Sequence, residues 1–452
     1  MTRDLTQGKP INAIFFMSLP IMAGNFFQQF YSIMDTIIVG RFLGSTSLAA
    51  VGSTSSIYYF IMWFVCGAAN GFTIYLAQSF GAGDLKEVRQ GVCTALELSV
   101  TLTLAISALS LIFVRKFLIL MNTPEEILEE AYIYIFVIIA GMIATMFYNI
   151  CASIMRSLGD SRTPLYFLMI SSILNIGLDL LFVAVFNMGV FGAAFATVIS
   201  QALSGILCFS YMYIHFKEIR FKISDWKINL KRASRMLYLG IPAGFCGTFT
   251  AIGILILQYA INCYGTDVIA GYTAAIKVQN FAEIPLNAYC MTMVNFAGQN
   301  MGAGKMENTH RGYKQCIGLG IITAAVCGLF LIFFGRNLAG LFVDANEAAG
   351  VIDFAAQYLK ITGAIFFVYT ILLTTRSTLQ GMGDSMAPVF TGIVESLFRV
   401  IFSCILVKRP DRTLLCLVNP IVWIIASISV MLMYVHRRRM LARTQNKIQL
   451  SA

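Results

Sequence analysis

Charge is scarce in this sequence. Only 12% of its 452 residues are Asp, Glu, Lys or Arg, about half the roughly 25% usual in soluble domains, while 58% are hydrophobic. No soluble core hides that much apolar surface, so the chain is expected to be a polytopic membrane protein. Histidine is scarcer still. His215, His310 and His436 are the whole set, and each lies near the polar end of an apolar run. The 11 cysteines include no CxxC pair, and Cys66, Cys93, Cys151, Cys208, Cys246 and Cys327 lie inside apolar runs, where thiols act as small hydrophobes. These shortages argue against a metal centre and a disulfide framework. With no nucleophile–base set in view, they also argue against an enzyme. No resident cofactor is expected. A cleaved signal peptide is not evident either: residues 1–10 are short and polar, and the apolar stretch after them is too long for an h-region.

What is abundant is apolar length. A bilayer core takes about 20 residues per helix, and twelve such spans can be drawn, at 12–35, 47–78, 91–114, 130–152, 164–186, 191–214, 237–263, 268–298, 314–334, 351–375, 388–407 and 414–435. The fold class is therefore all-α, with twelve transmembrane helices. The formal charge of +10 does not point to nucleic acid, because the bases sit between the spans. One side carries Arg3, Lys9, Lys86, Arg89, Arg156, Arg162, Lys305, Arg311 and Lys314, the run Lys217, Arg220, Lys222, Lys227, Lys231, Arg232 and Arg235, and Arg437, Arg438, Arg439 and Arg443. The positive-inside rule then places both termini in the cytoplasm, and the expected location is the cell's inner (plasma) membrane. The cluster Lys408-Arg409-Pro410-Asp411-Arg412 falls on the other side and goes against this bias, unless the last hairpin is shifted.

The chain also repeats itself. Gly159-Asp160-Ser161 returns as Gly383-Asp384-Ser385, with Pro164 matched by Pro388, both pairs 224 residues apart. Gly81-Ala82-Gly83 returns as Gly302-Ala303-Gly304, with Gln78 matched by Gln299; Pro20 pairs with Pro242. One nearly constant offset across these landmarks indicates a duplicated six-helix unit. Six being even, the two halves share one topology and form two bundles related by a pseudo-two-fold axis. The reading is an N-terminal six-helix lobe over 1–214, a basic cytoplasmic linker over 215–236, a C-terminal six-helix lobe over 237–436 and a basic cytoplasmic tail over 437–452. The repeated turns read as structural: glycine permits a positive-φ reversal, Asp160 and Asp384 cap the next helix, and Pro164 and Pro388 sit in its first turn.

The order of these landmarks resembles the MATE family (multidrug and toxic compound extrusion). It rests on Pro20, Asp35 and Gly40 in the first span, QSFGAGDLKEVRQG after the second, RSLGDSRTP after the fourth, NIGLD in the fifth and GAAFAT in the sixth. The resemblance covers nearly the whole chain. It implies a V-shaped pair of bundles that exports drugs or toxic organic compounds, coupled to inward flow of Na+ or H+ by alternating access.

Acids inside the spans deserve a reason, since a charge at mid-membrane costs roughly 2.5–3.5 kcal/mol on insertion scales. Asp35 has Leu257 at its duplicate position and Asp179 has Ser403, so duplication explains neither. Asn175 and Asp179 are four apart, on one helical face. By resemblance to the family, an N-lobe cation site falls on Asp35, Asn175, Asp179 and Thr197. Oxygen ligands of that kind suit a hard cation such as Na+, and two close carboxyls can equally hold a proton. Some family branches carry a Glu where this chain has Thr250, which favours coupling in the first half.

In the second half, Glu395 and Arg399 are i,i+4, and Glu283 follows Phe281-Ala282. Each reads either as an internal polar pairing or as cavity lining. Tyr31, Gln258, Gln279, Asn280, Glu283, Glu395 and Arg399 are the candidate substrate-cleft residues, facing small organic, cationic substrates. Pro20 is a candidate hinge. The expected partners are the lipid bilayer and such substrates, with no nucleic acid and no second copy. The rival to drug export is a flippase for lipid-linked saccharides or lipid precursors. That activity calls for a strongly basic cavity, and Lys277, Lys360 and Arg399 are the intramembrane bases in view.

Overall fold

The computed structural model describes residues 4–451 except 122, 217–219, 223–224, 227–228 and 343–348, with no side chains described at 349, 442 and 444–451. Arg3, Lys217 and Lys227 of the basic set lie outside the described residues. Among the described residues the chain forms α1 (Pro10–Gly81), α2 (Leu85–Leu120), α3 (Glu125–Ala140), α4 (Met142–Ser157), α5 (Arg162–Asp179), α6 (Gly189–His215), α7 (Leu230–Asn262), α8 (Thr266–Gly302), α9 (Met306–Ala339), α10 (Ala349–Gly381), α11 (Met386–Lys408) and α12 (Arg412–Ser451), with no strand.

Helix α1 carries the first two expected spans. At 72 residues and about 1.5 Å per residue it exceeds two crossings of a hydrocarbon core about 30 Å thick. The join at 36–46 is helical rather than a loop, broken at Gly44, where φ is 89° and ψ 179°. Only glycine adopts that backbone without strain. The fourth span is α3 plus α4, bent by 43° at Gly141. By length and apolarity nine helices among the described residues can cross a membrane, ten with that bent pair. The helix outside this set is α8, which is interrupted by Lys277, Gln279, Asn280 and Glu283. Counting α1 as two crossings gives eleven, and the 37-residue α8 is the twelfth element of the expected set. Large apolar side chains such as Ile112 (69% exposed) and Phe333 (73%) face outward, as lipid allows and water does not.

The last hairpin sits where the sequence put it, with α11 ending at Lys408 and α12 beginning at Arg412. Asp411 earns its place in that basic turn as a cap, accepting from the backbone N–H of Thr413 (2.8 Å) and Leu414 (3.1 Å). The duplicated turns behave alike. Asp160 Oδ1 accepts from the N–H of Arg162 (3.0 Å) and Thr163 (3.1 Å), and Asp384 Oδ1 from Met386 (3.3 Å) and Ala387 (3.2 Å).

The chain divides into two compact units. The first comprises Met1–Gly8, Phe16–Gly244 and Gly298–Lys305; the second comprises Lys9–Phe15, Phe245–Ala297 and Met306–Ala452. Phe72, Leu76, Met155 and Met236 centre the core of the first, and Leu257, Tyr358, Leu359 and Val422 that of the second. Since lipid is as apolar as these side chains, close packing rather than escape from water holds such cores. Close packing is most evident in the first unit where α1 meets the end of α8. A Cβ on Gly81 would overlap the Gln299 carbonyl, and one on Gly302 would overlap the Gln78 carbonyl. The repeated Gln-x-x-Gly sequences therefore touch each other backbone to backbone.

Candidate functional site

Helices α1, α5 and α6 converge in the first unit on a polar cleft lined by Tyr31, Ser171, Ser172, Asn175, Thr197, Ser200 and Gln201. Small hydroxyl residues let α5 and α6 approach closely: Ser171 Oγ donates to the Ser200 carbonyl (2.9 Å) and Ser204 Oγ to that of Phe167 (3.1 Å). Asp179 is the last residue of α5 and is fully buried. A π-helical stretch, Leu180–Val185, follows it directly. Such widened turns recur at functional sites because they re-aim side chains without ending the helix.

Asp35 and Asp179 meet here, their carboxyls within hydrogen-bonding reach of each other. In the amide orientation that satisfies both its ends, Asn175 donates to Asp179 Oδ2 (2.9 Å) and accepts from the Thr197 N–H (3.2 Å). Thr197 Oγ1 donates to the Ala193 carbonyl (3.2 Å), and Tyr31 reaches Thr197. The four residues assigned by resemblance thus share one place, with Tyr31, a cleft candidate, beside them. Asp35 Oδ1 and Asp179 Oδ1 are buried without a hydrogen-bond partner. No basic side chain pairs with either acid among the described residues. Two acids and several neutral oxygens suit a monovalent cation or protons. No cluster of three or more His, Cys, Asp or Glu able to hold a metal occurs among the described residues.

The remaining candidates separate. Glu283, Gln279, Glu395 and Arg399 join one network in the second unit. Gln279 Nε2 donates to Glu283 Oε1 (2.7 Å), Tyr369 OH to Glu283 Oε2 (3.2 Å), and Tyr358 OH to Gln279 Oε1 (3.1 Å). Asn419 Nδ2 donates to Tyr358 OH (3.0 Å) and Arg399 Nε to Asn419 Oδ1 (3.2 Å). Glu395 accepts from both Arg399 Nη1 (3.3 Å) and Arg376 Nη1 (3.2 Å). Gln258 is half-buried and donates to Asn262 on its own helix (2.9 Å), and Asn280 is exposed. Helix α1 runs unbroken through Pro20, its departure from helical geometry lying at Gly44. Sequence reasoning missed Arg376, Tyr358, Tyr369 and Asn419. Arg376 was the findable one, a base just past the expected tenth span.

The family model MatE matches residues 20–181 and matches again over 242–405. The chain belongs to the MATE family. Both matches begin on the paired prolines, Pro20 and Pro242, so the duplication read from the sequence is the MATE repeat itself. Among curated relatives, the probable multidrug resistance protein YpnP of Bacillus subtilis is 30% identical over 79% of both chains. The multidrug export protein MepA of Staphylococcus aureus is 23% identical over 84% of this chain and 85% of its own. Among solved structures, a MATE crystal structure in complex with MaL6 superposes with a TM-score of 0.91, covering 98% of this chain and all of that one at 23% identity. That likeness establishes the fold, and the family match together with the apolar helices makes this MATE protein a multi-pass membrane protein.

Proposed function

We propose that this protein exports drugs and other foreign organic compounds across the cell's inner membrane, driven by inward movement of Na+ or H+ through the paired acids of the first unit. Both termini then lie in the cytoplasm, and the six-helix lobes over 1–214 and 237–436 are the moving parts of an alternating-access cycle. The relatives' names, multidrug resistance and multidrug export, support the substrate class.

One observation carries the coupling reading. Two carboxyls face each other, fully buried Asp179 and half-buried Asp35, each with a buried oxygen left unpartnered. Buried polar atoms are normally bonded, so unpartnered acid oxygens call for a cation or proton in part of the cycle. A coupling ion shifts the equilibrium only by binding one state better than the other. Loading Asp35 and Asp179 ties α1 to α5, and releasing the ion frees them. Asp35→Asn and Asp179→Asn should each abolish gradient-driven efflux of a fluorescent organic cation from cells while leaving membrane insertion unchanged. Normal efflux by both variants contradicts the reading. Lipid flipping finds less support, because Arg376 and Arg399, both on Glu395, are balanced by Glu395 and by Glu283 in the same network, which leaves no surplus of positive charge there.

A further inference from the structure

The duplication lets the ion-site positions of the first unit be read off in the second. With Pro20 matched to Pro242, Tyr31 corresponds to Gly253 and Asp35 to Leu257. With Pro164 matched to Pro388, Ser171 corresponds to Glu395, Asn175 to Arg399 and Asp179 to Ser403. The second unit has thus lost both acids. Leu257 is 1% exposed within the apolar core, and Ser403 Oγ is buried without a hydrogen-bond partner. At two of the three remaining positions, those of Ser171 and Asn175, it has gained a carboxylate and a guanidinium.

The new pair is built in. Glu395 is 2% exposed and Arg399 4%, and Glu395 is held by Arg399 on one oxygen and Arg376 on the other. Space for the Arg399 stem comes from Gly253: a Cβ there would lie 3.3 Å from Arg399 Cδ and 3.0 Å from Ser396 Cα. Where the first unit has the bulky Tyr31 beside its acids, the second has cleared room for a long cation. The charges also close. Arg376 and Arg399 balance Glu395 and Glu283, the last reached through Asn419, Tyr358 and Gln279. The first-unit cluster carries two acids and no base.

We infer that Arg399 is a tethered cation: its guanidinium permanently occupies, on Glu395, the second unit's counterpart of the first unit's ion site, so that this half needs no exchangeable ion. The comparison rests on the proposed cation site of the first unit. Removing Arg399 leaves one negative charge in surplus, the deficit that one monovalent cation fills. Such a cavity should accept guanidinium, which has the shape and donor fork of the missing group, or Na+.

The test uses the purified full-length protein in detergent, carrying Asp35→Asn and Asp179→Asn to silence the first unit. Thermal unfolding is followed against guanidinium chloride at low concentration, NaCl and KCl at matched ionic strength. Adding Arg399→Ala should create a new response, the midpoint rising by about 5 °C at saturating guanidinium, the order expected of one bound ligand. Adding Glu395→Gln as well should abolish that response. If Arg399→Ala does not accumulate, Arg399→Gln, which keeps a donor for Asn419, carries the same comparison. No added response to guanidinium or Na+ on loss of Arg399 overturns the tethered-cation assignment. A response to Na+ that persists with Arg399 intact overturns the first-unit reading instead, and the increment on losing Arg399 still decides this one.

Discussion

Arg232 grips Glu87 with both prongs of its guanidinium: Nε donates to Oε1 at 2.6 Å and Nη2 to Oε2 at 3.1 Å. Nη2 also donates to Gln90 Oε1 (2.6 Å), and Tyr75 OH donates to Glu87 Oε1 (2.6 Å). Arg232 is 4% exposed, so this is a buried clasp between the start of α7 and the start of α2. Removing one partner of a buried pair costs about 3–5 kcal/mol. The Glu87 side chain is 29% exposed, which places Arg232→Ala toward the lower end. Arg232→Lys should recover little, since an ammonium cannot make the two-pronged contact. The thermal midpoint in detergent checks both.

The reciprocal crossing of the repeated Gln-x-x-Gly sequences predicts an unusual intolerance. A single methyl at Gly81 or Gly302 must displace backbone, not a flexible side chain. Overpacking typically costs about 1–3 kcal/mol. Gly81→Ala and Gly302→Ala should reach at least the top of that range, while Gly318→Ala, with open space around it, should be neutral. Expression level and thermal midpoint of the three variants give the comparison.

Asn175 holds Asp179 and Thr197 together without carrying charge. Losing such an orienting neighbour typically weakens ion affinity about 10–100-fold. Asn175→Ala should therefore raise the Na+ or H+ concentration needed for half-maximal efflux by that factor, leaving the maximal rate less affected. Thr197→Val should act in the same direction and Thr197→Ser much less.

The two repeated caps should differ in strength. Losing an N-cap side chain costs about 1 kcal/mol, the expectation for Asp384→Ala. Asp160 is 5% exposed and additionally accepts from Thr163 Oγ1 at 2.7 Å. Asp160→Ala should therefore cost more, read as a larger drop in thermal midpoint.

The sequence made the helices and the duplication legible because both rest on local signals: apolar length, and Gly, Asp and Pro recurring at one offset. It also singled out Asp35 and Asp179, because an acid in an apolar span stands out against its surroundings, and Asn175 through its place one turn before Asp179. That the two acids meet is a tertiary fact, dependent on how α1 packs on α5. Arg232 shows the limit most clearly. In sequence it is one base among many in a basic linker; folded, it is buried on Glu87, because α7 begins at Leu230 and carries it inward. The second-unit network was half visible for the same reason. Glu395 and Arg399 are neighbours on one helix, whereas Arg376, Tyr358 and Asn419 arrive from α10 and α12.

Proteoliposomes test the central claim most directly. Protein is reconstituted with a fluorescent organic cation, and uphill substrate movement is measured against imposed pH and Na+ gradients for wild type, Asp35→Asn, Asp179→Asn and the double variant. The account predicts that wild type accumulates substrate against its gradient in exchange for one of these ions. Each variant should still pass substrate downhill but lose all uphill movement. Undiminished uphill transport by the Asp35→Asn, Asp179→Asn double variant would contradict it.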